Sequence, residues 1–231
     1  MRRMSPDEIR KRILYEDRDV LVFHKPAGLP VQSADSGMMD LESLLRIFLN
    51  GVQPRIVHRL DQPVEGIVVL ALTSRTAGEL SRQLAAGEIN KVYQAAVCPQ
   101  PGVVIPPPGE LHSLEDVLIR DGRTNTSRIA RAGEEGKKAR LNYEMVGKIA
   151  IESMKEVDNI WKVRIVLLTG RHHQIRVQFS HAGMPLAGDI KYGGPRMREG
   201  LALCACSLDF SHPVTGRDMH FEVVPDHPLL S

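Results

Sequence analysis

Two short segments carry the residue types that could do chemistry. Residues 58–66 read His-Arg-Leu-Asp-Gln-Pro-Val-Glu-Gly, and residues 169–176 read Thr-Gly-Arg-His-His-Gln-Ile-Arg. The first sets Asp61 two residues after Arg59, in a polar turn that leads into Ile67-Val68-Val69-Leu70-Ala71-Leu72. The second follows the apolar run Val163-Arg164-Ile165-Val166-Leu167-Leu168. Each is a charged cluster at the end of what reads as a buried strand, where a fold can hold a carboxylate against an arginine with little water between them. A close arginine lowers an aspartate pKa by roughly 1–3 units, about 1.4 kcal/mol for each. Arg59, Arg171 and Arg176 are the candidate partners of Asp61. Taken singly, Asp61 also fits a turn aspartate bonding its own backbone, and Arg176 fits a surface position on a helix.

The elements around these segments follow from periodicity and punctuation. Ser5-Pro6-Asp7-Glu8 is a helix start, with a capping serine, proline at the first helical position and a glutamate three residues after the cap. The pattern predicts a short helix to about Leu14, then a strand over Val20–His24 that breaks at Lys25-Pro26-Ala27-Gly28. Leu41, Leu44, Leu45 and Phe48 have the one-sided spacing of an amphipathic helix. Further on come a strand at Ile67–Leu72, a helix at about Ser74–Ala86 stopped by Gly87, and a strand at Lys91–Cys98. Residues 99–109 hold five prolines and read as a surface connection. Leu118–Met145 reads as an extended antiparallel excursion with a Gly-, Thr-, Asn- and Arg-rich tip. Trp161–Leu168 is a strand, His173–His181 a helix closed by Gly183, and Leu201–Cys206 and His220–Val224 are late strands. Gly170 would allow the tight strand-to-helix turn that brings Arg171 and His173 to one mouth. Strands outnumber helices and lack a regular βαβ rhythm, so the expected class is α+β: a mixed, largely antiparallel sheet with flanking helices.

Composition bounds the partners. A chain of 231 residues with 42% hydrophobic and 25% charged residues is ordinary globular material, here expected to form one domain over 1–231 with 1–14 as a helical extension. The formal charge is only +2, so any polyanion affinity must be local. Arg120, Arg123, Arg128, Arg131, Lys137, Lys138 and Arg140 form such a patch, although a solvated face would look the same. Cys98, Cys204 and Cys206 lack paired spacing, which fits thiols in a reducing compartment. Two local thiols are too few for a structural zinc site. No apolar run reaches membrane-spanning length and the basic–acidic N-terminus lacks a secretory apolar region. The expectation is a soluble cytoplasmic monomer with no membrane partner.

Five segments in order resemble the RluA-like family of RNA pseudouridine synthases. They are Asp17–Val22 with Lys25-Pro26-Ala27-Gly28, His58-Arg59-Leu60-Asp61 with Gly66, Lys91-Val92-Tyr93, Leu168–Arg176, and Gly183–Asp189 with Tyr192; a sixth, Leu208 to His212-Pro213, follows late in the chain. The resemblance implies the pseudouridine synthase catalytic fold, an RNA substrate (ribosomal or transfer) and neither metal nor cofactor. It implies that Asp61 works on the target uridine, at the ribose carbon or by proton abstraction. It also implies that Tyr93 packs on the base, that Arg176 pairs with the aspartate and that Arg59 helps displace the base. His58, Arg171, His173 and Gln174 complete the expected substrate-binding set. Such a reaction suits these groups: an aspartate can act as a nucleophile without a metal, and a base leaves its stack at roughly a few kcal/mol.

Two departures stand out. Val64-Glu65 replaces the family's usual Thr-Ser before Gly66, adding a like charge near Asp61. The family's frequent N-terminal S4-type RNA-binding domain has no counterpart here, which would leave substrate choice to the catalytic domain. A non-catalytic RNA-binding protein on the same scaffold is the main rival reading. A metal-dependent hydrolase built from His58, Asp61, His172 and His173 is weaker, since adjacent histidines on a helix point in different directions.

Overall fold

The computed structural model describes residues 4–33, 37–150 and 159–231. In chain order the elements are α1 (Pro6–Arg12), β1 (Ile13–Glu16), β2 (Val20–Lys25), α2 (Leu41–Phe48), β3 (Arg55–Ile56), β4 (Glu65–Ala71) and α3 (Ser74–Ala86). There follow β5 (Asn90–Val97), β6 (His112–Asp121), β7 (Thr126–Ile129), β8 (Lys137–Lys148), β9 (Trp161–Leu167), α4 (Gln174–His181), β10 (Leu203–Ser211) and β11 (Asp218–Glu222). They fall into two compact units, Met1–Asn90 with Ala205–Val224, and Lys91–Cys204 with Pro225–Ser231.

In the first unit the strands run β1-β2-β4-β10, with β11 on β10 and β3 on β4. The β1–β2, β2–β4, β3–β4 and β10–β11 pairs are antiparallel. Every residue of β2 and β4 is buried, which is why both read as continuous apolar runs rather than alternating ones. Val20, Val22, Ile67, Val69, Leu80, Leu208 and Phe210 share one core cluster. Each such side chain contributes about 1.5–3 kcal/mol when fully buried. The α1 capping box forms as expected, Ser5 Oγ accepting from Glu8 N at 3.2 Å and Glu8 Oε2 from Ser5 N at 2.7 Å. The helix is shorter than its sequence pattern predicts. It ends at Arg12, because Ile13 and Tyr15 pair with Phe23 and Val22 in β1–β2, and a β-branched or aromatic side chain gains more from that ladder than from another helical turn.

The second unit runs β5-β9-β8-β6-β7, each neighbouring pair antiparallel. In β8 the buried residues are Ala139, Leu141, Tyr143 and Met145, every second position, so this strand packs one face. The excursion predicted over Leu118–Met145 is longer, spanning His112–Lys148, and it includes a third strand, β7. Asp121 Oδ1 accepts from Arg123 N at 2.9 Å to build the tip, where Asn125 takes a φ of 50°. All three cysteines are buried, and burial pushes the Cys98 thiol up to about 11. Among the described residues no helix is long and apolar enough to cross a membrane. The α+β class and the largely antiparallel pairing are as the sequence predicts.

Candidate active site

Asp61 sits, half-buried, in a turn closed by a bond from Val64 N to Asp61 O at 3.0 Å. Leu60 and Val64 on either side are buried and anchor it. The turn is clamped from the loop after β2. Gln62 O accepts from Gly28 N at 2.8 Å and from Lys25 Nζ at 3.3 Å, and Gln62 Nε2 donates to Gly28 O at 3.2 Å. Lys25 is fully buried, and its ammonium also donates to Leu29 O at 2.8 Å and Pro26 O at 3.1 Å. A buried ammonium is tolerable only when its donors are met, so these carbonyls fix the lysine and the lysine fixes the turn. The strand runs one residue past the Val20–His24 that the sequence predicts, and Lys25 is its last residue.

Gly66 opens β4 with a φ of 134°. A Cβ there would lie 2.5 Å from both N and O of Ala205, within the same unit. Gly66→Ala should therefore cost at least about 1–3 kcal/mol, the usual scale of backbone strain, and lower the urea midpoint of unfolding measurably. An unchanged midpoint would mean that β4 and β10 can part without penalty. Glu65, the residue that departs from the family pattern, is buried and has its own partner, with His24 Nε2 at 2.8 Å from Glu65 Oε1. Arg12 Nη1 stands 3.5 Å from His24 Nδ1. Because arginine only donates, this favours the tautomer in which His24 gives its Nε2 proton to Glu65. The feared like charge beside Asp61 is thus engaged by a histidine.

The other expected residues of the first motif are placed differently. His58 Nε2 accepts from Val69 N at 3.1 Å, so this ring is pinned to β4. Arg59 is exposed and lines an open groove of about 490 Å³ with Gln32, Glu42, Gln53, Arg55 and His58.

In the second unit Gln174 is a staple of the strand-to-helix turn. Its Oε1 accepts from Thr169 Oγ1 at 2.7 Å and Arg171 N at 3.0 Å, and its Nε2 donates to Arg140 O at 3.1 Å. Arg171 Nε donates to Lys138 O at 2.9 Å. The tight point of this turn is His173, with a φ of 54°, rather than Gly170. His172 and His173 precede α4, and their rings stack at 3.7 Å instead of diverging as helical neighbours would. His172 pairs through Nδ1 with Ser127 Oγ at 2.9 Å and through Nε2 with Asn125 Oδ1 at 3.1 Å. Both its ring nitrogens thus have partners in the 125–127 segment.

His173 Nδ1 lies 2.6 Å from Tyr192 Oη, which accepts from Ser127 N at 2.8 Å. Burial, helped by Arg176, His172 and Lys191, holds His173 down to about 3 from an ordinary 6.5. Below pH 6.5 the unfolded chain therefore binds a proton that the folded one refuses, and stability falls progressively toward pH 3. The thermal midpoint should drop over that window, and the slope should be shallower in His173→Gln. Equal slopes would place the acid sensitivity elsewhere.

Arg176, near the start of α4, is buried. It donates from Nε to Asp189 Oδ2 at 2.8 Å and from Nη2 to Asp189 Oδ1 at 2.7 Å. Its guanidinium carbon lies 5.0 Å from the centre of the Tyr192 ring. Asp189 and Tyr192 stand in the Gly183–Asp189 and Tyr192 motif and carry no signal in the sequence that ties them to Arg176. Tyr93 is buried in β5, opposite Ile165 of β9.

Comparison with known proteins identifies the class of enzyme to which these motifs belong. The family model described as RNA pseudouridylate synthase matches residues 19–181. The chain is 33% identical to the dual-specificity RNA pseudouridine synthase RluA of Escherichia coli (strain K12), over 96% of each chain. It is 35% identical to the ribosomal large subunit pseudouridine synthase D of Pseudomonas aeruginosa, over 93% of this chain and 68% of that one. Among solved structures, human RNA pseudouridylate synthase domain containing 1 superposes with a TM-score of 0.75 at 25% identity, covering 98% of this chain and 86% of the other. The chain belongs to the RNA pseudouridylate synthase family.

Proposed function

We propose that this chain isomerises specific uridines of ribosomal or transfer RNA to pseudouridine, without metal or cofactor. The bond between C1′ and N1 breaks, the uracil turns, and a bond forms from C1′ to C5. The C5 proton passes to solvent and N1 gains one, so atoms balance. Asp61, Tyr93 and Arg176 carry the reaction, the two compact units acting as one catalytic domain. Asp61 acts on the ribose of the target, Tyr93 gives the base an aromatic face, and Arg176 keeps the carboxylate ionised where water is excluded. Arg59 displaces the base from its stack, with His58, Arg171, His173 and Gln174 shaping the surroundings. The protein acts as a cytoplasmic monomer.

One observation carries this reading. The family match over residues 19–181 spans Asp61, Tyr93 and Arg176 together, and a protein that merely bound RNA would have no use for that set. Cellular RNA labelled with 5-tritiated uridine should release tritium to water on incubation with the protein, in the presence of excess chelator. No release from any cellular RNA would favour the non-catalytic binder, and release abolished by chelator would favour metal chemistry.

A further inference from the structure

Arg176 is held by more than its place on a helix. Asp189 is buried, and it grips the guanidinium through two parallel bonds of 2.7 and 2.8 Å. Such fork-to-fork pairing fixes the plane of an arginine as well as its position. The Tyr192 ring lies against the same group, 5.0 Å from its centre to the guanidinium carbon. Asp189 takes two of the five N–H donors an arginine offers.

Asp189 and Tyr192 belong to one tightly turned loop. Gly188 has a φ of 81°, and a Cβ on it would fall 1.7 Å from Gly200 O. Asp189 O accepts from Tyr192 N at 3.1 Å and from Gly194 N at 2.8 Å. Ser180 Oγ, on α4, donates to Tyr192 O at 2.7 Å. The loop is therefore bolted to the helix that carries Arg176. Tyr192 also reaches the hairpin: its hydroxyl oxygen accepts from Ser127 N at 2.8 Å, in β7. The same hydroxyl lies 2.6 Å from His173 Nδ1. His173 in turn stacks on His172, which pairs with Ser127 and Asn125 at the hairpin tip. A buried ion pair is weak support for stability, since apolar replacements of similar volume often do as well. Its use here is orientation.

We propose that Asp189 and Tyr192 are positioning residues for the isomerisation, holding the Arg176 guanidinium from its edge and its face, and that the Tyr192 hydroxyl couples this hold to the β6–β7 hairpin. The inference rests on Arg176 being catalytic and adds what aims it. A guanidinium misplaced by about 1 Å can cost on the order of 100-fold in rate. The loss should appear in the chemical step rather than in RNA binding, because neither residue need touch phosphate.

The test is single-turnover tritium release at saturating RNA, normalised to folded protein by circular dichroism, with RNA affinity measured in parallel. Asp189→Asn should lower the rate about 100-fold and Tyr192→Leu about 10-fold, with affinity within about threefold of the parent chain. Tyr192→Phe keeps the ring and loses the hydroxyl, so it should recover most of the Leu loss yet stay about threefold slow. Should Asp189→Asn fail to fold, the two Tyr192 variants decide. A folded Tyr192→Leu with the parent rate, or one whose loss lies wholly in affinity, would overturn the positioning role. Tyr192→Phe at the full parent rate would overturn the link to the hairpin. Absence of release by the parent chain on every RNA would be a different failure, that of the isomerase reading itself.

Discussion

Asp61→Asn should abolish turnover, by at least about 1,000-fold, while the affinity for RNA stays within about threefold. A loss of that size corresponds to roughly 4 kcal/mol of barrier at about 1.4 kcal/mol per decade. The substitution changes one oxygen for an amide and leaves the backbone turn intact, since Val64 N bonds to Asp61 O and Gln62 O to Gly28 N, both through main-chain atoms. Fold and binding surface should therefore survive. Binding to RNA draws mainly on phosphate contacts, to which a carboxylate contributes nothing favourable. Tritium release together with fluorescence anisotropy on the same RNA would separate the two quantities. Normal turnover by Asp61→Asn would take this residue out of the mechanism.

Arg176→Ala should damage both activity and stability, and the stability loss is the more specific expectation. Removing the arginine strips Asp189, itself 2% exposed, of both its bonds to Arg176. Breaking one side of a buried pair costs about 3–5 kcal/mol, which for a chain of this size lowers the melting temperature by roughly 6–20 °C. The double variant Arg176→Met with Asp189→Leu should regain most of that loss and none of the activity. Thermal unfolding of the two variants side by side makes the comparison. If Arg176→Ala melted with the parent chain, the pair could not be as buried as the structure places it.

How much of this was legible beforehand depends on whether the signal was local. β2 and β4 are buried on both faces and announce themselves as unbroken apolar runs. The caps of α1 and α3 follow from Ser5, Thr73 and Gly87, whose effects reach only a few residues. The end of α1 is not legible in the sequence because Ile13 answers to Phe23 across a strand pair, a non-local competitor that periodicity cannot weigh. The same holds at the site. Asp61 and Arg176 declare themselves by charge beside strand ends. Asp189 lies 13 residues beyond Arg176 in a loop without regular pattern, and Lys25 looks like an ordinary turn lysine until its three carbonyl partners are seen. His173 in a left-handed conformation is likewise invisible to composition, because glycine would be the expected occupant.

The most direct measurement is a crystal structure of this chain with an RNA carrying its target uridine. It should place the Asp61 carboxylate within about 4 Å of the Arg176 guanidinium, salt-bridge reach, with the uracil lying against the ring of Tyr93. A uridine bound elsewhere, or Asp61 and Arg176 on surfaces that no single nucleotide could touch, would contradict the account.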